Sequence, residues 1–282
     1  MMEHSNLVSM EWVARHLEDR DLVLVDCRFE GADPAAGRKA YEQAHLPGAI
    51  HMDVDRDLSS PVREHGGRHP LPDLGVFSLR LRQLGIGNDH RVVAYDDQGG
   101  AMASRLWWML RFLGHKQVYV MDGGFTRWKQ AGLPVSSNPV HPEPARFNPV
   151  VQNRLLVSMY DVRDRLSKAG VILVDSREPE RYRGEVEPFD RVAGHVPGAI
   201  NRYWKDNLTA EGTWKSIEEL NRRFADLPPN GEIIVYSGSG VTACANVLAL
   251  AEAGRTDAKL YLGSWSDWIS YPGNPVETGQ AG

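Results

Sequence analysis

The sequence predicts an α/β protein made of two homologous domains, each a mainly parallel sheet flanked by helices. Three observations carry that prediction. An internal repeat runs through the chain, short apolar runs alternate with amphipathic helical stretches, and a proline-rich segment separates the two copies. The repeat is direct. Leu22–Arg28 (LVLVDCR) matches Val171–Arg177 (VILVDSR), and His45–Ile50 (HLPGAI) matches His195–Ile200 (HVPGAI). Arg91–Tyr95 (RVVAY) matches Glu232–Tyr236 (EIIVY), and Gly123–Trp128 matches Gly263–Trp268. The four offsets are 149, 150, 141 and 140 residues, so the first copy carries a net insertion of about nine residues between HxPGAI and the next strand. A period this long indicates domain duplication rather than a solenoid.

The elements follow in chain order. In the first copy, a strand-like run reaches Asp26 and Cys27, and a second strand ends at Tyr95. Asp96-Asp97-Gln98-Gly99-Gly100 heads the loop after it. Trp107, Trp108, Leu110 and Leu113 form a core stripe on the following helix, which Gly114 stops. Leu133–Pro149 holds five prolines and reads as extended chain. In the second copy, Ser158-Met-Tyr-Asp161 and Ser216-Ile-Glu-Glu219 read as capping-box helix starts. Val171–Asp175, Ile233–Tyr236 and Leu260–Leu262 read as strands buried on both faces. A helix starts near Val241, runs to Ala253 and is stopped by Gly254. Strand–helix alternation gives a parallel sheet covered on both faces, with sites outside the carboxyl ends of its strands. The resulting boundaries are an N-terminal domain at 1–136, a linker at 137–156 and a C-terminal domain at 157–282.

Composition narrows the function classes. The chain has 282 residues and a formal net charge of −5, which disfavours a nucleic-acid or polybasic membrane surface. No apolar run approaches the roughly 20 residues of a membrane helix. The opening stretch MMEHSNLVSMEW lacks a signal-peptide pattern, and the two cysteines, Cys27 and Cys244, suit a reducing cytoplasm as core residues. There is no CxxC, no HExxH and no His/Cys cluster of metal spacing, so neither a metal nor another cofactor is expected.

The chemistry is expected in Glu232–Asn246 (EIIVYSGSGVTACAN). A strand ends at Tyr236, Ser237-Gly238-Ser239-Gly240 makes a tight loop, and a helix follows. Successive loop amides beside a helix N-terminus form an anion cradle. Its first residue, Ser237, is where a reactive side chain would sit. A cysteine thiolate gains from such a cradle; a serine hydroxyl gains far less without a neighbouring base. In the first copy Asp96 stands there and would repel an anion, so only the second loop is a candidate.

These pieces together resemble the tandem-domain rhodanese family, of the thiosulfate/3-mercaptopyruvate sulfurtransferase type. The likeness runs from about Val8 to Val276 and rests on DCR 26–28, HLPGAI 45–50, DGG 122–124, DSR 175–177, RYRG 181–184, GHVPGAI 194–200 and GSGVTAC 238–244. The resemblance implies a loop that opens on a catalytic cysteine, here Ser237. That cysteine takes sulfane sulfur from a donor as a persulfide and passes it to a thiol or cyanide. Gly238-Ser239 resembles the mercaptopyruvate-directed loop. Ser239 is then implied to form a relay with a first-domain histidine and aspartate, placed at His45 and Asp33. Arg181 is implied to hold the substrate carboxylate, with Arg191 as the nearest second arginine. Loop residues Gly238, Gly240, Val241 and Thr242 complete the substrate-binding set. The implied partners are a small anionic sulfur donor and a thiol acceptor, either a small thiol or a thioredoxin-like protein.

Ser237 departs from the family pattern. Either the chain is a Cys-to-Ser form of an active enzyme, or it is a natural non-catalytic, anion-binding or regulatory member. A serine hydrolase does not fit, since neither Ser237 nor Ser239 has glycine two residues before it. A phosphatase loop does not fit either, since the loop holds no basic residue. His195 reads as a turn-fixing residue. Trp128 and Trp268 read as core, and Trp265 as a possible lining of a cleft mouth.

Overall fold

The computed structural model describes residues 5–31 and 33–280, so the first four residues of the MMEHSNLVSMEW stretch lie outside the described residues. Among the described residues there are ten strands: β1 (Leu7–Val8), β2 (Leu22–Asp26), β3 (Ile50–His51), β4 (Arg91–Tyr95), β5 (Val118–Met121), β6 (Leu156–Val157), β7 (Val171–Asp175), β8 (Ile200–Asn201), β9 (Glu232–Tyr236) and β10 (Lys259–Tyr261). They form two five-stranded sheets, ordered β1-β5-β4-β2-β3 and β6-β10-β9-β7-β8. The second order is the first with every index raised by five, as a duplication requires. Every ladder within the sheets is parallel. The central pairs have matching register, Leu22↔Arg91 to Asp26↔Tyr95 and Val171↔Glu232 to Asp175↔Tyr236.

The strands are apolar because helices cover both their faces. β4 and β9 are buried from their second residue onward. The helix Ala101–Phe112 buries Trp107 and Trp108, and the helix Ala243–Glu252 buries Cys244, Val247, Leu248 and Leu250. Both capping boxes form. Ser158 and Ser216 each accept the backbone N–H of the third helical residue, whose carboxylate accepts the cap N–H in return. Cys27, Trp128 and Trp268 are fully buried, as expected of core residues. Trp265 corrects an expectation: it is fully buried, its indole N–H donating to Val192 O at 2.8 Å, so it lines no cleft mouth.

The repeated motifs build the same scaffold twice. Asp26 holds Arg28 at 2.6 Å, and Arg28 also donates to Ala44 O. Tyr95 donates its hydroxyl proton to Asp26 and accepts the N–H of Leu46, inside the HxPGAI turn. In the second copy Asp175 pairs with Arg177 at 2.6 Å, Arg177 donates to Gly194 O, and Tyr236 OH accepts Val196 N–H. The DxR and HxPGAI motifs therefore tie a central strand to its neighbouring turn through buried charge-assisted bonds.

The compact units do not follow the chain in two blocks. The first comprises the chain to Ser60, Pro72–Gln152 and Ala210–Trp214; the second comprises Pro61–Leu71, Asn153–Thr209 and the chain from Lys215. Residues 137–152, read from sequence as linker, pack into the first unit. Phe147 there is fully buried, and Val150 N donates to Leu113 O. Residues 61–71, which the sequence placed with the N-terminal domain, pack into the second unit.

Candidate active site

The loop after β9 lies where a doubly wound sheet places its sites, beyond the carboxyl end of a central strand. Ser237 is fully buried. Its N–H donates to Ser264 Oγ at 3.0 Å, and Trp265 and Ser266 donate their N–H groups to the carbonyls of Ser237 and Gly238. Ser264 has φ +58°, an unusual conformation for a residue with a side chain. Its repeat partner is Gly124, φ +70°. Serine there keeps a left-handed backbone and gains a hydroxyl that receives the loop, which is strain held at a site by specific bonds.

Within the loop, Gly240 N donates to Ser237 Oγ at 3.1 Å. Gly240 has φ +82°, and a β-carbon there would lie 2.0 Å from Leu262 O, so only glycine fits. The N–H groups of Gly238, Ser239, Val241 and Thr242 have no intramolecular partner among the described residues. The regular helix begins at Ala243, two residues later than expected; Thr242 is its N-cap and makes no side-chain capping bond.

The first-copy loop shows what such a cradle does. Asp96, at the position equivalent to Ser237, accepts the N–H groups of Gln98, Gly100, Met102 and Ala103 at 2.8–2.9 Å. Asp96 does not merely repel anions, as the sequence suggested: its own carboxylate fills the cradle. Burial raises its pKa, while the four N–H groups pull it down. The same loop geometry at Ser237 offers amides to an anionic atom at the first position.

Two guanidinium groups flank the second loop. A β-carbon on Gly238 would lie 3.1 Å from Arg68 Nη2 and 3.2 Å from Arg181 Nη2. Arg181, expected from sequence, is thus at the loop. The second arginine is Arg68; Arg191 instead donates to Ile269 O at 2.8 Å. Buried carboxylates hold both. Arg181 meets Glu187 at 2.8 Å and Asp190 at 3.6 Å, and Arg68 pairs with Asp190. Glu178 lies 3.5 Å from Arg181.

Ser239 Oγ and His69 Nδ1 share a hydrogen bond of 2.7 Å. This replaces the expected His45. His45 belongs to the first unit, where its Nδ1 donates to Tyr41 O at 2.7 Å and its ring stacks on Tyr41. Its repeat partner His195 does the same with Tyr182, so both histidines brace their HxPGAI turns. Asp33 is half-exposed; it accepts Ala35 N–H and pairs with Lys39, contacts proper to a helix start. The chemistry-bearing residues that sequence reasoning missed, Arg68 and His69, are adjacent and lie in the stretch where the first copy carries its unmatched insertion. A segment that the duplicated fold does not require was the available signal.

Among the described residues no His, Cys, Asp and Glu group is placed to hold a metal, and no helix is long and apolar enough to cross a membrane.

Comparison with known proteins agrees with this architecture. The family model described as the rhodanese-like domain matches residues 9–131 and 158–271. A probable 3-mercaptopyruvate sulfurtransferase of Pseudomonas aeruginosa is 43% identical over 283 residues, covering 99% of this chain and all of the relative. A putative thiosulfate sulfurtransferase, SseB, of Mycobacterium tuberculosis is 39% identical, covering 92% of this chain and 91% of the relative. Among solved structures, the 3-mercaptopyruvate sulfotransferase SseA of Escherichia coli superposes with a TM-score of 0.82 at 32% identity, covering 93% of this chain and 99% of that one.

Proposed function

This chain belongs to the rhodanese family, and on that premise we propose that it has the site of a sulfurtransferase that moves sulfane sulfur from 3-mercaptopyruvate, or thiosulfate, to a thiol acceptor, with serine at the nucleophile position. One observation carries the reading. Arg68, Arg181 and the Ser239–His69 pair converge on the loop whose amide reaches Ser237 Oγ.

The residues divide the work as follows. Arg181 and Arg68 offer guanidinium N–H groups to the donor's carboxylate, a fit that a planar fork makes better than an ammonium. The loop amides stabilise negative charge at the side chain of position 237. With cysteine there, its thiolate attacks the donor sulfur. The C–S bond breaks, its electron pair passes to carbon, and a proton delivered by Ser239 and His69 completes pyruvate. The sulfur remains as a persulfide. An acceptor thiolate then attacks the outer sulfur and restores the cysteine thiolate, in the cytoplasmic setting that two buried free cysteines suit. The acceptor is a small thiol or a thioredoxin-like protein.

Serine at 237 forms no S–S bond, so the chain as it stands is nearly inactive in sulfur transfer. Ser237→Cys, assayed with mercaptopyruvate and a thiol acceptor, is expected to raise the rate on the order of 10³-fold or more. No gain, with retained binding of mercaptopyruvate or thiosulfate, overturns the enzyme reading in favour of a non-catalytic anion-binding member.

A further inference from the structure

The first unit contains a cleft of about 470 Å³ that the sulfur-transfer chemistry does not use. Arg38, Glu42, His45, His51, Arg80 and His141 are among its lining residues, two arginines and three histidines beside one carboxylate. His45 is 1% exposed, and its buried Nε2 has no hydrogen-bond partner among the described residues. A buried polar atom left this way calls for a ligand or a water.

The duplicated copy places a carboxylate near the equivalent atom. In the second unit His195 makes the same Nδ1 bond to a tyrosine carbonyl, the same ring stack and the same antiparallel bridge to a later segment. The residue across that bridge is Glu277. Its Oε2 accepts Gly198 N–H at 2.9 Å and lies 3.8 Å from His195 Nε2. In the first unit the bridge partner of His45 is Ser136, which has no carboxylate. Gly48, equivalent to Gly198, keeps the same left-handed turn, φ +75° against +74°. The first unit thus has the same ring and turn without the built-in carboxylate.

We propose that this cleft is a second ligand site and that it takes a small carboxylate anion in the place that Glu277 fills in the other copy. His45 Nδ1 donates to a carbonyl, so Nε2 meets a carboxylate only as N–H, with the ring doubly protonated. Arg80 and Arg38 supply the surrounding positive charge. Arg38 is held by Glu42 in an ion pair exposed on both sides and of small net energy, which leaves it able to turn toward an anion, whereas the Asp57 carboxylate that holds Arg80 is largely buried. Glu42 on the cleft wall and Asp57 beside Arg80 are the opposing charges. The proposal does not rest on sulfur transfer and stands or falls apart from it.

The test is a titration of protein carrying ¹⁵N-labelled histidine with sodium pyruvate, and in a second arm with sodium phosphate. Pyruvate is expected to move one ring, identified by its loss in His45→Gln, to the doubly protonated pattern at millimolar concentration. Arg80→Gln is expected to weaken this about tenfold. Ser136→Glu restores the internal carboxylate, so it should produce the pattern unaided and abolish the response to pyruvate. Arg181→Gln should leave the response unchanged. If no ring other than His69 responds to pyruvate, or if the response survives Ser136→Glu, the site is water-filled and the proposal is overturned. An equal response to phosphate overturns the assignment to a carboxylate.

Discussion

At the residue scale, the two loops are one device with two settings. Four backbone N–H groups close on Asp96, and a matching loop closes on Ser237 with one N–H and leaves others available. Removing the carboxylate from the first leaves those amides buried without an acceptor. Asp96→Ala is therefore expected to destabilise the protein by about 2–4 kcal/mol, measured by urea unfolding, whereas Asp96→Asn retains an acceptor oxygen and loses less. The cradle and its first residue were legible in the sequence because glycine spacing and a strand–loop–helix pattern are local. The relay was not. The repeated His45 and His195 attracted the assignment because they repeat, but repetition here marks scaffolding, since both rings serve their own turns. His69 occurs once and touches Ser239 across 170 positions of sequence, a contact that no local pattern encodes. In the Ser237→Cys background, His69→Ala is expected to lower kcat by roughly 10²-fold or more with a smaller change in KM. An unchanged kcat would remove His69 from the proton path.

At the element scale, the segment after the short helix Pro179–Tyr182 controls the arginines. Glu187 and Asp190 lie in it, and both occupy guanidinium donors that a substrate carboxylate would need. Sequence reading found Arg181 but not its partners, Glu178 one turn before it and Glu187 and Asp190 in the irregular chain that follows. Asp190→Asn in the Ser237→Cys background should lower KM for an anionic donor about three- to tenfold, because a competing buried charge is removed while the hydrogen-bonding shape is kept. The helix starts were fully legible, since a capping box is written in four residues. They also carry a pH signature. Hydrogen bonds to Ser158 lower the pKa of Asp161, and bonds to Ser216 lower that of Glu219. A carboxylate with a depressed folded-state pKa stabilises above its unfolded value and loses that contribution as pH falls through the folded one. The stability gap between the parent and the Asp161→Asn, Glu219→Gln double variant, followed by urea midpoints, should therefore be full at pH 6 and shrink from about pH 4.5 downward. A gap that does not change with pH would mean that the boxes act through shape alone.

At the scale of the whole molecule, the duplicated architecture was legible because two copies of each motif occur in order, while the true partition of the chain was not. Proline content made 133–149 look like free linker, yet Phe147 is fully buried in the first unit; a proline-rich chain lacks regular structure but still packs where one aromatic finds a slot. Phe147→Ala should accordingly cost about 3–5 kcal/mol, as a core truncation does. The more consequential departure is Pro61–Leu71, which belongs to the second unit although it precedes most of the first unit's chain. Arg68 and His69 reach the loop by this route, so the second copy taken as a continuous block lacks an arginine and its histidine. A chain cut between Gln152 and Asn153, carrying Ser237→Cys, tests the point. The fragment from Asn153 onward, purified alone and shown by circular dichroism to be folded, should transfer sulfur at less than about one hundredth of the full-length rate. Adding the fragment that ends at Gln152 should recover activity in proportion to the complex formed, and should fail to do so when that fragment carries Arg68→Ala and His69→Ala. If the folded C-terminal fragment alone matched the full-length rate, neither residue would serve the chemistry and the loop with Arg181 would be sufficient.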